Sequence, residues 1–192
     1  MEVLRTKIVT GSLLTQSSAA AQAGWISLFA VCTALGAQIE IPHQPIPFTL
    51  QTFFVLLSGA FLGARNGFIA QLLYVAAGAI GLPVFSGASF GLVRLFGLTG
   101  GYLMGFPLAA AMIGYLVTVR NGYLWTMFSM FLGLCVIFIM GSAYLNFVAL
   151  HDVQQSIMSG FLIFSWWDIV KLSAAAAIYA EFSKRYKKLP IK

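Results

Sequence analysis

Residues 123–150 read YLWTMFSMFLGLCVIFIMGSAYLNFVAL, and no Asp, Glu, Lys or Arg interrupts them. One crossing of the hydrocarbon core of a bilayer takes about 20 apolar residues in helical form, so this run is long enough to make one. A helix apolar on every face needs apolar surroundings on every face. The rest of the chain has the same character: 60% of its 192 residues are apolar and 8% are charged, where soluble domains carry about 25% charged residues to solvate a surface. Further apolar runs cover residues 23–39, 48–62, 68–85, 101–119 and 157–182. The expectation is an all-α integral membrane protein with about six transmembrane helices, forming a single domain over residues 23–192. Residues 1–22 begin with basic residues but lack a continuous apolar region, which argues against a cleaved signal peptide and for a surface helix or a leader.

Turn-forming stretches separate the runs: EIPHQPIP at 40–47, GARNG at 63–67, RNG at 120–122 and HDVQQS at 151–156. The connection between the third and fourth helices, SGASFGLVRLFGLTG at 86–100, is longer, rich in Gly and apolar. Such a segment suits backbone that folds back over protein rather than a free loop. Arg5, Lys7, Arg65, Arg120, Lys184, Arg185, Lys187, Lys188 and Lys192 fall on one side of this arrangement, and Arg94, Glu40 and Asp152 on the other. Short cytoplasmic segments retain Lys and Arg, so both termini are expected in the cytoplasm and the 86–100 segment outside. The net charge of +6 is then a topology signal rather than a nucleic-acid footprint. Cys32 and Cys135 lie in apolar runs with no ligand-type neighbour, so they read as packing residues; neither a metal nor a cofactor is expected.

Two charges have no topological explanation. Asp168 and Lys171 fall inside the last apolar run, near mid-bilayer, where an unpaired charge costs several kcal/mol. At i, i+3 they share a helical face and can neutralise each other. They could merely join helices, but a buried ion pair is often no more stabilising than apolar residues of similar volume. An intramembrane pair facing an outer cavity offers donors and acceptors to a small polar solute. No lysine follows a glycine, so the Gly-Lys-Ser/Thr core of a P-loop is missing, and accumulation of a solute would need an ion gradient or a partner ATPase. Gly87-Ala-Ser-Phe-Gly91 matches the nucleophile-elbow pattern, but it sits between membrane helices and nothing ties His43 or His151 to Ser89. The plainer reading is close backbone packing at Gly87 and Gly91.

Three blocks, IPHQPIPFTLQT at 41–52, GLPVFSG at 81–87 and GLTGGYLMGFP at 97–107, together with Asp168-Ile-Val-Lys171, resemble the BioY family in order and spacing. The resemblance spans about residues 23–180. Leu98 stands where the family more often has proline, and His43-Gln44 makes the first loop more polar than usual. The resemblance implies a six-helix, biotin-binding S component of an energy-coupling-factor transporter in a prokaryotic plasma membrane. Its partners would be an EcfT-type transmembrane coupling protein and two cytosolic ATPases, which suits the missing P-loop.

Biotin presents two ureido N–H donors, a carbonyl, apolar rings and an anionic carboxylate. The expected complement is Asp168 and Lys171 for the buried polar head, with Gln51 and backbone groups of Gly100 and Gly101 completing the hydrogen bonds. Tyr74, Phe85, Phe90 and Tyr102 are candidates for apolar walls, with core packing as the alternative for each, and Arg94 for the carboxylate. Ala30, Ala34 and Ala37 form a small-residue stripe resembling the docking surface for the coupling protein, with internal packing as the alternative. The competing functions are a self-sufficient secondary carrier of a small organic anion and an intramembrane hydrolase using Ser89.

Overall fold

The structure, a computed structural model, describes residues 18–44, 46–120, 122–161 and 166–185. The expectations for residues 1–17 and for Lys187, Lys188 and Lys192 lie outside the described residues. Helix α1 (Ala19–Gln38) starts at Ser18, whose hydroxyl accepts from the Ala21 amide and so caps one of the amides a helix start leaves unpaired. A short antiparallel hairpin of β1 (Glu40–Ile41) and β2 (Phe48–Thr49) follows. Then come α2 (Gln51–Ala79), a single turn α3 (Leu92–Leu95), α4 (Gly100–Val119) and α5 (Tyr123–Leu145). A wider π turn extends α5 through Asn146–Leu150, and α6 (Val153–Ser156) leads towards α7 (Trp166–Arg185).

Helix α2 is two helices. Gly63 sits at φ 76°, ψ 178°, a region essentially reserved for glycine, and there the chain reverses. In a straight helix Gln51 and Tyr74 would lie roughly 34 Å apart at 1.5 Å per residue; here Gln51 Nε2 donates to Tyr74 Oη at 2.5 Å. Gln71 Nε2 likewise reaches Ser58 Oγ at 2.9 Å. Residues 51–62 and 64–79 are therefore antiparallel arms. The sequence suggests a turn over 63–67, whereas the structure confines the break to Gly63 and resumes the helix at once. Helix α4 crosses against this corner at Gly114, where any Cβ would collide with the backbone of Gly63 and Ala64.

The two arms of α2 form a helical hairpin at the centre of the bundle. It packs most extensively on α4, then on α1, while α4 packs on α5, and α7 closes against α2 and α5. Val55, Leu56, Ile113, Met130 and Leu134 fill the interior. Gln71 also donates to Thr33 Oγ1 on α1 at 3.1 Å, a polar stitch across three helices of the kind worth about 0.6 kcal/mol in a membrane protein. Among the described residues, four helices are long and apolar enough to cross a membrane: Ala19–Gln38, Gln51–Ala79, Gly100–Val119 and Tyr123–Leu150.

The two ends of the bundle differ. At one, Asn66 Nδ2 reaches Gln22 Oε1 and the Phe61 ring meets Phe182, placing the Gly63 corner beside the start of α1 and the end of α7. At the other, Gln38 Nε2 donates to the Phe85 carbonyl at 3.1 Å and Tyr144 Oη to the Phe96 carbonyl at 3.0 Å. The segment 80–99 is thus fastened over the end of the bundle where the cavity opens.

Candidate functional site

A cavity opens at that end of the bundle. Five parts of the chain build it. Residues 46–49 and the start of α2 give Ile46, Pro47, Phe48, Thr49, Gln51 and Thr52; the 84–99 segment gives Phe85, Ser86, Arg94 and Thr99. Helix α4 adds Tyr102, Leu103 and Phe106, α5 adds Ile137 and Phe138, and Asp168 and Lys171 come from α7 with Gly160 just before it. The exposed wall is mostly apolar, although eight of the residues that supply it carry polar or charged side chains.

The charge pair lies in this wall. Asp168 is 2% exposed, and its Oδ1 lies 2.6 Å from Lys171 Nζ. Lys171 Nζ also donates to Thr52 Oγ1 at 2.7 Å and to the Thr49 carbonyl at 3.1 Å. An ammonium has three N–H bonds, so all three are directed to protein. Thr52 Oγ1 in turn faces Asp168 Oδ1 at 3.4 Å. These contacts fall on Oδ1, and Oδ2 has no hydrogen-bond partner among the described residues. Lys171 thus lines the cavity while it holds and neutralises Asp168. Thr49 and Thr52 were not legible as site residues, because isolated threonines at a helix start read as caps or turns. The only signal was their place inside the block at 41–52.

Arg94 lines the cavity half-buried, and its guanidinium has no hydrogen bond or ion pair among the described residues. Gln51 also lines it, with Oε1 accepting from Thr49 Oγ1 at 2.7 Å and Nε2 donating to Tyr74 Oη. Tyr74 Oη then donates to the Val84 carbonyl at 3.2 Å. This chain of bonds ties the start of α2 to the segment carrying Phe85.

Of the residues expected at the site, the structure brings Asp168, Lys171, Arg94, Gln51, Tyr102 and Phe85 to one cavity. Four others fall elsewhere. Tyr74 stands behind the wall, its ring edge-on to Phe85 at 5.7 Å and stacked on Phe106, so it supports the wall without forming it. Phe90 is exposed on the outside of the segment. Gly100 and Gly101 are packing positions: a Cβ on Gly101 would collide with Tyr144, and one on Gly100 with the Leu95 carbonyl. Within the expected docking stripe, Ala37 is 0% exposed and Ala30 is buried in the core, with Ala34 partly buried against it. Ala30 and Ala37 thus face the chain's own interior, where they let α1 approach the two arms of α2.

Ser89 Oγ donates to the Ser86 carbonyl at 2.6 Å, while the His43 ring packs on Phe48. No imidazole contact activates Ser89 among the described residues.

The described fold superimposes on a crystal structure of the S component for biotin from an ECF-type ABC transporter with a TM-score of 0.78, covering 86% of this chain and 92% of that one at 22% identity. That likeness concerns the fold. A biotin transporter BioY of Thermotoga maritima is 43% identical over 85% of this chain and 94% of its own length. A probable biotin transporter BioY of Pyrococcus horikoshii is 41% identical over 81% of this chain and 91% of its own. The sequence pattern of the BioY family matches residues 9–188. On this match and these relatives, the chain is a member of the BioY family.

Proposed function

We propose that this chain captures biotin in the cavity between α2, α4 and α7 and delivers it across the membrane together with an ATP-driven energy-coupling module. The observation that carries the reading is a cavity that brings together the Asp168 carboxylate, whose Oδ2 has no partner among the described residues, and the Arg94 guanidinium, which has no carboxylate partner among them. Those two groups complement the two polar ends of biotin. The ureido ring donates an N–H to Asp168 Oδ2, the rings and valeryl chain lie against Phe48, Phe85, Tyr102 and Phe138, and the carboxylate meets Arg94. The reverse orientation would set a carboxylate against Asp168, where like charges in a low-dielectric wall repel.

In this reading α1, the two arms of α2, α4, α5 and the stretch 157–185 make six crossings. Both termini face the cytoplasm, and the cavity faces outward. Arg65, Arg120 and Lys184 then lie on the cytoplasmic side, as retained positive charge requires. The partners are an EcfT-type coupling protein and two ATPases in a prokaryotic plasma membrane. Vesicle uptake tests this against a self-sufficient carrier: the chain alone should bind biotin without accumulating it, and accumulation should require both the module and ATP. Accumulation by the chain alone, driven by an ion gradient, would overturn the reading.

A further inference from the structure

Three segments close the mouth end of the bundle, and all expose apolar residues, Ile39, Ile41, Phe147 and Val153 among them; one differs from the others in its polar content. Residues 39–50 carry Glu40, His43 and Gln44, and residues 146–156 carry Asn146, His151, Asp152, Gln154 and Gln155. Residues 80–98 carry one charge, Arg94, and no acid. Yet Ile80, Leu82, Phe90, Leu92 and Phe96 are exposed there, and Val93 is 89% exposed. So many exposed apolar side chains in one short segment call for an apolar cover.

Two observations say what the cover is. The exposed Ile69, Leu72, Leu73 and Ile80 follow helical spacing along one face of the second arm of α2, so the patch continues a stripe already turned away from the bundle. That arm, residues 64–79, rises roughly 24 Å, about 6 Å less than the hydrocarbon core. That shortfall leaves room for the apolar residues after it to lie at acyl-chain depth. Helix α3 is oriented to match. Leu92, Val93 and Phe96 point outward, while Leu95 enters the core and Arg94 lines the cavity.

We propose that residues 80–98 are seated in the acyl-chain layer at the mouth end of the bilayer, and that this lipid contact holds Arg94 over the cavity. The second half rests on the ligand reading above; the first does not. The test uses the full chain with Cys32→Ala and Cys135→Ala, carrying a nitroxide at Val93→Cys or, for comparison, at His43→Cys, in phosphatidylcholine–phosphatidylglycerol vesicles. At position 93 dissolved oxygen should relax the label more strongly than a water-soluble nickel chelate, with the reverse order at position 43. Equal access of the chelate at both positions would show a water-facing loop and overturn the proposal. So would shielding of position 93 from both reagents, or spin–spin broadening, since a protein partner or a second copy would then be the cover.

For the second half, Val93→Asp should lower biotin affinity about tenfold in vesicles, while Val93→Leu and the affinity for an uncharged biotin amide stay near parental. An unchanged affinity for biotin in Val93→Asp would refute the coupling to Arg94. If the parental chain binds no biotin, the ligand reading fails, and the label at position 93 still decides where the segment sits.

Discussion

Lys171 directs its three N–H bonds to Asp168, Thr52 and Thr49, so the pair should be read as one acceptor with a built-in support. Removing the acceptor charge by Asp168→Asn leaves a buried ammonium without its counterion and weakens the acceptor. Biotin affinity should fall at least about tenfold, near 1.4 kcal/mol, as measured by equilibrium binding to a variant that still purifies as a folded monodisperse species. Thr52→Val should cost about fivefold, close to the 1 kcal/mol of one hydrogen bond, with Thr52→Ser restoring most of it. An unaffected Thr52→Val would mean that Thr52 does not position the pair. At the other polar group, Arg94→Ala should reduce affinity for biotin more than for its uncharged amide; equal losses for both ligands would assign Arg94 to the shape of the segment only. The ion pair was legible from the sequence because charge is so rare in this chain. Its supports were not, since a threonine hydroxyl carries no signal until a fold places a cation beside it.

At the scale of elements, the hairpin at Gly63 and the inward face of α1 decide where the cavity lies. Gly63→Ala forces a Cβ into backbone geometry that only glycine adopts readily, and should destabilise the fold by about 1–3 kcal/mol, read as a lower unfolding midpoint in detergent. A neutral effect there would contradict the reversal of the chain at Gly63. Ala37→Trp should prevent a monodisperse preparation, because Ala37 is fully buried and overpacking a closed interface costs about 1–3 kcal/mol or more. Val31→Trp, on the exposed side of the same helix, should be tolerated. The apolar runs and their breaks are visible in the sequence because lipid imposes length and composition. The direction in which a uniformly apolar helix turns its small residues is not, because Val31 and Ala37 look alike to a hydropathy reading. The same limit sent Phe90 to the cavity wall on paper and to the outside in the structure.

Over the whole molecule, segments far apart in sequence converge on one cavity: residues 46–52, the 84–99 segment, α4, α5 and α7. The blocks that resemble the BioY family supply most of these pieces, and for that reason the functional class was readable before the fold. Which members of each block face the cavity depends on helix rotation and on the reversal at Gly63, and both are properties of packing. On the proposed function, this cavity binds biotin by itself, with Asp168 as acceptor, before any energy is supplied. Calorimetric titration of the purified chain with biotin, without ATP or any partner, tests it most directly. Binding should be saturable at one biotin per chain and weakened at least about tenfold by Asp168→Asn. A folded chain that shows no saturable binding, or one whose affinity is untouched by Asp168→Asn, would contradict it.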